Sequence, residues 1–341
     1  MNKLRFGFLS TANIGRKNWK AIFQSGNSIV TAVASRDLER SRKFIRECQA
    51  ETPFETPPLA LGGYEEMLVS NNVDAIYFPL PTGLRREWVV RAAEAGKHVF
   101  CEKPCAPDAT DLEAMLSACR KNRVQFMDGV MFMHNRRLDQ IRGVLNDGAS
   151  VGPLKRIASH FSFPGTEDFF RTDIRTDCAL EPLGCLGDLG WYCIRFALWA
   201  MNWRMPGRVE GRILSRAGEK SSGVPLEFSG ELLFDGGVSS GFYCSFVTAY
   251  RQWADISGTK GHLRVPDFVA PVTGSETAFE VNNCGVISDP SAGHPSTAQE
   301  TNMIRNFADQ ISSGGLNDDW PMWALKTQKV LDACLEAACN R

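Results

Sequence analysis

Short apolar runs alternate with helical patterns through residues 1–130, and this alternation constrains the fold more than any other feature of the chain. The candidate strands are the compact apolar runs at residues 4–9, 29–34, 73–78, 98–101 and 124–127. The candidate helices cover residues 14–24, 38–49, 64–69, 86–95 and 109–121. Apolar strands separated by helices are typical of a parallel sheet that helices cover on both faces. We therefore expect a doubly wound α/β domain over residues 1–130.

The sequence changes character after this domain, because longer runs of alternating apolar and polar residues predict a mostly antiparallel sheet. These runs cover residues 155–163, 208–215, 227–234, 238–246 and 254–265. Asp235-Gly236-Gly237 joins the third run to the fourth, and these residues tolerate the positive φ of a tight hairpin. One helical pattern, at residues 189–201, interrupts these runs, and two more follow them at residues 298–311 and 323–338. We expect an α+β domain for substrate binding and oligomerisation over residues 131–341, with a large open sheet and with C-terminal helices near the interface to the first domain.

Charge and composition exclude several classes of partner. The chain has 38 Lys and Arg against 39 Asp and Glu, and a net charge of −1 argues against broad electrostatic binding of nucleic acid or of a membrane. No apolar run approaches the about 18 residues that a membrane span requires, so we expect a cytoplasmic protein. The 11 cysteines include no CxxC motif, which favours reduced thiols. His98, Cys101 and Cys105 lack a second pair at ligand spacing, and we predict no metal site.

The first strand ends in Ser10-Thr11-Ala12-Asn13-Ile14-Gly15 and leads directly into a helix. A dinucleotide pyrophosphate binds in this context, on a helix N-terminus after the first strand of a Rossmann domain. The usual GxGxxG pattern reads S-x-A-x-x-G here, so Ala12 adds a methyl group at the close approach while Ser10 offers a hydroxyl donor. We take Ser10, Thr11, Ala12, Asn13 and Ile14 as candidate cofactor contacts, with an ordinary tight turn as the open alternative.

The end of the second strand indicates which nicotinamide cofactor the domain prefers. An acid at this position accepts hydrogen bonds from the adenosine ribose, whereas an arginine accommodates a 2′-phosphate. The chain has Ser35 and Arg36 there and Arg40 one helical turn later, with no acid at the ribose position. We therefore predict that NADP(H) is preferred, with NAD(H) as the second candidate and a solvated surface role as the alternative for both arginines.

The fifth strand carries the sequence AGKHVFCEKP at residues 95–104, and it follows FPLPT at residues 78–82. With DG at residues 128–129 and DLGWY at residues 188–192, the order and spacing resemble the glucose–fructose oxidoreductase, inositol dehydrogenase and MocA (GFO/IDH/MocA) family over essentially the whole chain. Within it, the glucose–fructose oxidoreductase and dihydrodiol dehydrogenase branch is the more similar. The resemblance implies an NAD(P)-dependent dehydrogenase or reductase in which Leu80, Pro81 and Glu102 contact the cofactor.

The resemblance further implies a catalytic group of Lys103, Asp188 and Tyr192. Hydride transfer at a carbinol carbon needs a group that exchanges the hydroxyl proton and a cation beside the developing alkoxide. Asp188 and Tyr192 are four residues apart at the start of a helix, so both side chains can converge on Lys103. A nearby ammonium would bring the tyrosine pKa, about 10 when free, closer to the working pH. Without the resemblance, a surface lysine and a buried tyrosine are the simpler interpretation.

These roles predict that Tyr192 is the acid/base, that Lys103 supports it and binds substrate and cofactor, and that Asp188 orients Lys103 or a substrate hydroxyl. The expected substrate is a sugar, a polyol or a cyclic diol, bound in the cleft between the two domains. Arg171, upstream of Asp188, is a candidate substrate-side cation, with an exposed loop as the alternative. One departure from the family pattern is Arg85, which stands where the family commonly has histidine.

Two further expectations concern the class of protein and its assembly. The alternative to an enzyme is a non-catalytic sensor or regulatory protein that binds a dinucleotide in the same fold, and a purely structural assembly protein is the third candidate. The long alternating strands should present one face of the second sheet that is too apolar to stay wet. We therefore expect a homodimer or homotetramer formed through that sheet.

Overall fold

A computed structural model describes residues 3–217, 223–271, 277–289, 294 and 298–340. The chain divides into two compact units. The first unit consists of Met1–Ala106, Thr110–His134 and Pro295–Ala324. The second unit consists of Pro107–Ala109, Asn135–His294 and Leu325–Arg341.

The first unit is built on a parallel sheet of six strands in the order β3-β2-β1-β4-β5-β6. The strands are β1 (Leu4–Leu9), β2 (Ser28–Ala34), β3 (Leu59–Leu61), β4 (Ala75–Phe78), β5 (His98–Cys101) and β6 (Phe126–Asp128). Every pair of neighbours is parallel, which confirms the predicted doubly wound sheet. The strand order reverses between β1 and β4, and open α/β sheets bind ligands at such a point, beyond the carboxyl ends of the strands.

Seven helices contribute to this unit among its described residues. They are α1 (Ile14–Ser25), α2 (Leu38–Glu51), α3 (Tyr64–Val69), α4 (Arg85–Glu94), α5 (Ala109–Lys121), α9 (Gln299–Ser312) and the start of α10 (Asp319–Cys339). Helix α9 comes late in the chain, yet the ring of Phe307 lies 5.9 Å from that of Phe6 and 5.8 Å from that of Phe100. This aromatic contact makes α9 part of the core of the first unit.

The second unit contains a sheet of eight strands in the order β14-β13-β12-β11-β7-β10-β9-β8. The strands are β7 (Leu154–Ser162), β8 (Arg208–Arg216), β9 (Pro225–Phe234), β10 (Val238–Ser245), β11 (Arg251–Gly258), β12 (His262–Val265), β13 (Thr277–Val281) and β14 (Cys284–Asp289). All neighbours pair antiparallel except β7 and β10, which are parallel, so the predicted mostly antiparallel sheet is confirmed.

The β9–β10 turn and the β11–β12 turn can be compared with the predictions from the sequence. The β9–β10 hairpin turns at Gly236 and Gly237, whose φ angles of 85° and 76° fit the predicted positive-φ turn. The prediction of one continuous run over residues 254–265 is wrong. The chain turns back after Gly258, whose N–H donates to the carbonyl of Gly261, and continues as β12. Apolar alternation persists on both sides of this short turn, which hides it in the sequence.

The helices of the second unit are α6 (Arg137–Asn146), α7 (Glu167–Thr172) and α8 (Trp191–Ala200), together with the later part of α10. All ten residues of α8 are buried, as the apolar pattern over residues 189–201 predicts. A single π-helical turn, Leu186–Gly190, leads into it. Among the described helices, none is long and apolar enough to span a bilayer.

Candidate functional site

The turn between β1 and α1 has the features of a phosphate-binding helix start. Asn13 and Ile14 are exposed and Thr11 and Ala12 half-buried. The Asn13 side chain does not cap the helix, and its first turn carries no acidic residue. Gly15 packs so closely that a Cβ there would lie 3.1 Å from Cζ of Phe44. Backbone N–H groups at the start of α1 are therefore available to an anion, and Gly15 keeps the helix close to the sheet.

Ser10 holds an unusual backbone conformation at the end of β1, with φ at 145°. Its hydroxyl donates to the carbonyl of Pro79 at 3.0 Å and accepts from the N–H of Ala12 at 3.2 Å. These bonds offset the strain of a conformation that glycine adopts more easily. They also join the ends of β1 and β4. Direct donation from Ser10 to a phosphate would require the bond to Pro79 to break.

The end of β2 presents two arginines beside a half-buried tyrosine. Ser35 is buried and its hydroxyl accepts from the N–H of Asp37 at 3.4 Å, while Arg36 and Arg40 are exposed. Burial raises the pKa of the Tyr64 hydroxyl, and the charges of Arg36 and Arg40 oppose that rise, which places both cations near Tyr64. Neither guanidinium forms an ion pair with any residue that the structure describes. The arginines are thus free to bind an anion.

Glu102, directly after β5, is held by a buried hydrogen-bond network. The Tyr77 hydroxyl donates to Glu102 Oε1 at 2.6 Å, and Asn18 Nδ2 donates to Tyr77 Oη at 2.6 Å and to Glu102 Oε1 at 3.2 Å. Burial, reinforced by the Glu102 charge, raises the pKa of Tyr77 well above its usual value, so the hydroxyl stays protonated and donates. Neither Asn18 nor Tyr77 is among the residues that the sequence singled out.

The other predicted residues of the first unit lie at the same carboxyl edge of its sheet. Leu80 is buried and Pro81 half-buried in the segment after β4, and the half-buried Lys103 follows Glu102. His98 is a structural residue, because its Nδ1 accepts from the N–H of Gln125 at 2.9 Å and burial lowers its pKa. Across the described ranges, no group of three or more His, Cys, Asp and Glu side chains could hold a metal ion.

The second unit holds the remaining two predicted catalytic residues. Asp188 lies in the π-helical turn with 17% of its side chain exposed, and Tyr192 lies in the first turn of α8 with 6% exposed. The Tyr192 ring contacts Phe161 edge to face at 5.6 Å. A Cβ on Gly190 would lie 2.9 Å from Leu186 Cδ1 and 3.3 Å from Cys244 Sγ, so the turn packs tightly on β10. The site residues are therefore carried by rigid, buried elements.

Arg175 is a cation that lies next to Asp188. Arg175 Nε lies 3.4 Å from Asp188 Oδ2, and its Nη1 lies 3.6 Å from Asp173 Oδ2. The charge of Asp188 raises the pKa of Arg175 most, against the effect of burial, with smaller contributions from Asp173 and Tyr192 among others. By contrast, Arg171 is 78% exposed and pairs with Asp168 at 2.8 Å. The sequence offers no signal that distinguishes these two arginines, because both lie in polar segments of the same connection.

Comparison with known proteins identifies both units. Residues 4–130 match the family described as "Oxidoreductase family, NAD-binding Rossmann fold", and residues 139–264 match the "GFO/IDH/MocA C-terminal domain". The chain is 30% identical to a dTDP-3,4-didehydro-2,6-dideoxy-alpha-D-glucose 3-reductase of Saccharopolyspora spinosa, over 93% of this chain and 90% of that protein. It is 31% identical to a D-xylose 1-dehydrogenase (NADP(+)) of Haloferax volcanii, over 98% of this chain and 97% of that protein.

A solved structure gives the same result in three dimensions. A 3-ketoreductase from Actinomadura kijaniata, in complex with NADP and TDP-benzene, superposes with a TM-score of 0.84 at 26% identity, and 98% of each chain is covered. The similarity thus extends over both units and over sequence as well as fold. This chain belongs to the GFO/IDH/MocA family of oxidoreductases.

Proposed function

We propose that this protein is an NADP(H)-dependent oxidoreductase that transfers hydride between nicotinamide and the carbinol or carbonyl carbon of a sugar, a polyol or a cyclic diol. One observation carries the proposal: Asp188 and Tyr192 extend from a buried helix start beside Arg175, in a chain whose relatives over nearly full length are sugar oxidoreductases. A half-buried carboxylate and a buried phenol beside a cation form a set that suits proton exchange with a sugar hydroxyl.

Residues at the carboxyl edge of the first sheet fit a dinucleotide phosphate. The segment Thr11–Ile14, which leads into α1, would hold the pyrophosphate, since the Asn13 side chain does not cap the helix. Arg36 and Arg40 would hold a 2′-phosphate together with Ser35, because neither arginine pairs with an acid in the described part of the chain. Leu80 and Pro81 would contact the cofactor from the end of β4. The Glu102 carboxylate, aimed by Tyr77 and Asn18, would accept from a ribose hydroxyl.

A bound nicotinamide would supply or accept the hydride, and the side chains would manage the proton. In the oxidative direction, the Tyr192 phenolate takes the proton from the substrate hydroxyl at Oη; in reduction, the phenol returns it to the new alkoxide. Lys103 donates a hydrogen bond to the substrate oxygen, and its positive charge favours the phenolate form of Tyr192. Asp188 orients Lys103 or a second substrate hydroxyl, and Arg175 fixes the carboxylate of Asp188.

The test combines binding and turnover. Fluorescence titration with NADPH and NADH is expected to show binding, with NADPH the tighter ligand. Turnover on a panel of aldoses, keto sugars, polyols and cyclic diols is expected to fall by about 10²–10⁴-fold in Tyr192→Phe and in Lys103→Met, the contribution that general acid–base groups make. Failure of the wild type to bind either cofactor contradicts the proposal. Tight cofactor binding with no turnover on the panel supports a non-catalytic sensor instead.

A further inference from the structure

Arg85, the first residue of α4, is a buried guanidinium that forms no ion pair with the acids that the structure describes. Only 4% of the residue is exposed, and no carboxylate in the described ranges lies within ion-pair distance of it. Burying a charge without a counter-charge is costly, so such a group persists only where several hydrogen bonds satisfy it. The neighbouring Arg86, in contrast, is 54% exposed and forms an ordinary surface pair with Asp111 at 2.7 Å.

Arg85 donates hydrogen bonds to three backbone carbonyls, those of Leu80, Glu102 and Pro104. We call these carbonyls the carbonyl cluster. Arg85 Nε donates to the Leu80 carbonyl at 2.8 Å, and Nη1 donates to the Glu102 carbonyl at 2.6 Å and also to that of Pro104. Two of these carbonyls stand immediately before and after Lys103. The third belongs to the segment that follows β4, so one side chain joins the ends of β4 and β5 at the edge where open sheets bind ligands.

The planar fork of arginine is what makes this arrangement stable. A guanidinium presents several N–H groups in fixed directions, and it can bond three carbonyls from two segments at once. A histidine offers at most one N–H in each of two directions, and a lysine ammonium lacks the rigid plane. The backbone around Lys103 is thus fixed from both sides by a single residue.

We propose that Arg85 is a positioning residue that fixes the backbone of Glu102-Lys103-Pro104 through the carbonyl cluster and thereby aims the Lys103 ammonium at the substrate. The inference rests on the proposed function, because Lys103 acts on substrate only if the protein is an oxidoreductase. Loss of the three bonds lets the lysine backbone shift, and a displacement of about 1 Å at a catalytic group can cost about 10²-fold in rate.

The experiment compares Arg85→Met with Arg86→Met, a matched change at the exposed neighbour. Turnover is measured in the wild type, in each single variant, in Lys103→Met and in the double variant Arg85→Met/Lys103→Met. If Arg85 acts through Lys103, Arg85→Met lowers kcat by about 30-fold when Lys103 is present and by less than about 3-fold in the Lys103→Met background. Arg86→Met is expected to keep the kcat of the wild type.

Other outcomes overturn the inference. An unchanged kcat in Arg85→Met, or an equal loss in both backgrounds, assigns Arg85 a purely structural role. If Arg85→Met does not fold, Arg85→Lys decides: we expect it to fold with a kcat lowered by about 10-fold, and a kcat equal to that of the wild type refutes the positioning role.

A second readout separates this inference from the proposed function. Amide hydrogen exchange over residues 101–106 is expected to be at least about 10-fold faster in Arg85→Met than in Arg86→Met. If the wild type shows no turnover on the substrate panel, the proposed function fails, and this measurement alone decides whether Arg85 fixes the segment. Equal exchange in the two variants then overturns the inference.

Discussion

Replacing Tyr77 by phenylalanine tests the network that aims Glu102. The Tyr77 side chain is fully buried, and its hydroxyl donates to Glu102 Oε1 at 2.6 Å and accepts from Asn18 Nδ2 at 2.6 Å. A hydrogen bond to a charged group contributes about 1.5–3 kcal/mol. Asn18 keeps its own bond to Glu102 at 3.2 Å, which limits the loss. We therefore expect Tyr77→Phe to lower the free energy of unfolding by about 2 kcal/mol at pH 7.

The loss of stability in Tyr77→Phe is expected to become smaller at alkaline pH. Burial raises the pKa of Tyr77 well above its usual value, so the folded state keeps the proton that the unfolded chain releases above pH of about 10. The stability that this tyrosine contributes is complete below that pH and declines as the pH rises further. The difference between the wild type and Tyr77→Phe should accordingly shrink above pH of about 10.

Urea denaturation followed by circular dichroism, at pH 7 and at alkaline pH, measures the loss of stability and its pH dependence. NADPH titration measures whether Glu102 is still oriented to bind the cofactor. NADPH affinity in Tyr77→Phe is expected to fall by about 5- to 10-fold, equivalent to about 1 kcal/mol. Tyr250→Phe is the matched control, since this ring is 57% exposed and the change should cost less than about 0.5 kcal/mol. Equal stability and equal NADPH affinity in the wild type and in Tyr77→Phe would refute the role of this network in stability and in orienting Glu102.

Three further predictions address the cofactor, the acid/base site and the assembly. Arg36→Ala should weaken NADPH binding by about 10- to 100-fold and leave NADH binding within about 3-fold, because the lost contact is to the 2′-phosphate; equal losses for both cofactors remove the argument for NADP(H). Arg175→Met should lower kcat/KM by about 10-fold while Arg171→Met matches the wild type, since Arg175 contacts Asp188 whereas Arg171 pairs with Asp168; equal effects would contradict that assignment. Light scattering should show a homodimer or homotetramer, because apolar side chains such as Leu214, 47% exposed on β8, need cover; a monomer refutes this expectation.

The first sheet could be predicted because its strands are buried on both faces and read as continuous apolar runs. β1 and β5 have the predicted bounds, Leu4–Leu9 and His98–Cys101. β3 escapes the pattern because Leu59–Leu61 is only three residues long and none of them is buried. Residues 298–324 offer no signal that they join the first unit, because the contact of Phe307 with Phe6 depends on tertiary packing rather than on sequence period.

The residues of the candidate site also differ in how far the sequence predicts them. Glu102 and Lys103 follow a buried strand, and Asp188 and Tyr192 have helical spacing, but their assignment to the site depends on the family resemblance. Tyr77 is 25 residues from Glu102, and Asn18 is 84 residues from it. Hydrogen bonds at such separations carry no periodic signal. A polar Asn18 on the buried face of α1 is the one local hint that a buried partner exists.

The sequence does not distinguish the roles of the arginines around the site. Arg85 begins α4, Arg171 lies in the last turn of α7 and Arg175 follows that helix. Charged residues are common at such positions. The structure separates them by burial and partner: backbone carbonyls for Arg85, a neighbouring surface acid for Arg171 and Asp188 for Arg175. Only three-dimensional contacts distinguish a buried positioning cation from a solvated one.

Isotope transfer tests hydride transfer to or from a sugar, polyol or diol carbon most directly. Carbonyl substrates of the panel are incubated with NADPH that is deuterated at the transferable C4 position, and the products are analysed by mass spectrometry. We expect a product one mass unit heavier at the new carbinol carbon, formed at least about 10²-fold more slowly by Tyr192→Phe. A wild-type protein that binds NADPH yet transfers no deuterium to any carbonyl substrate, and none from deuterated carbinols to NADP⁺, would contradict the account.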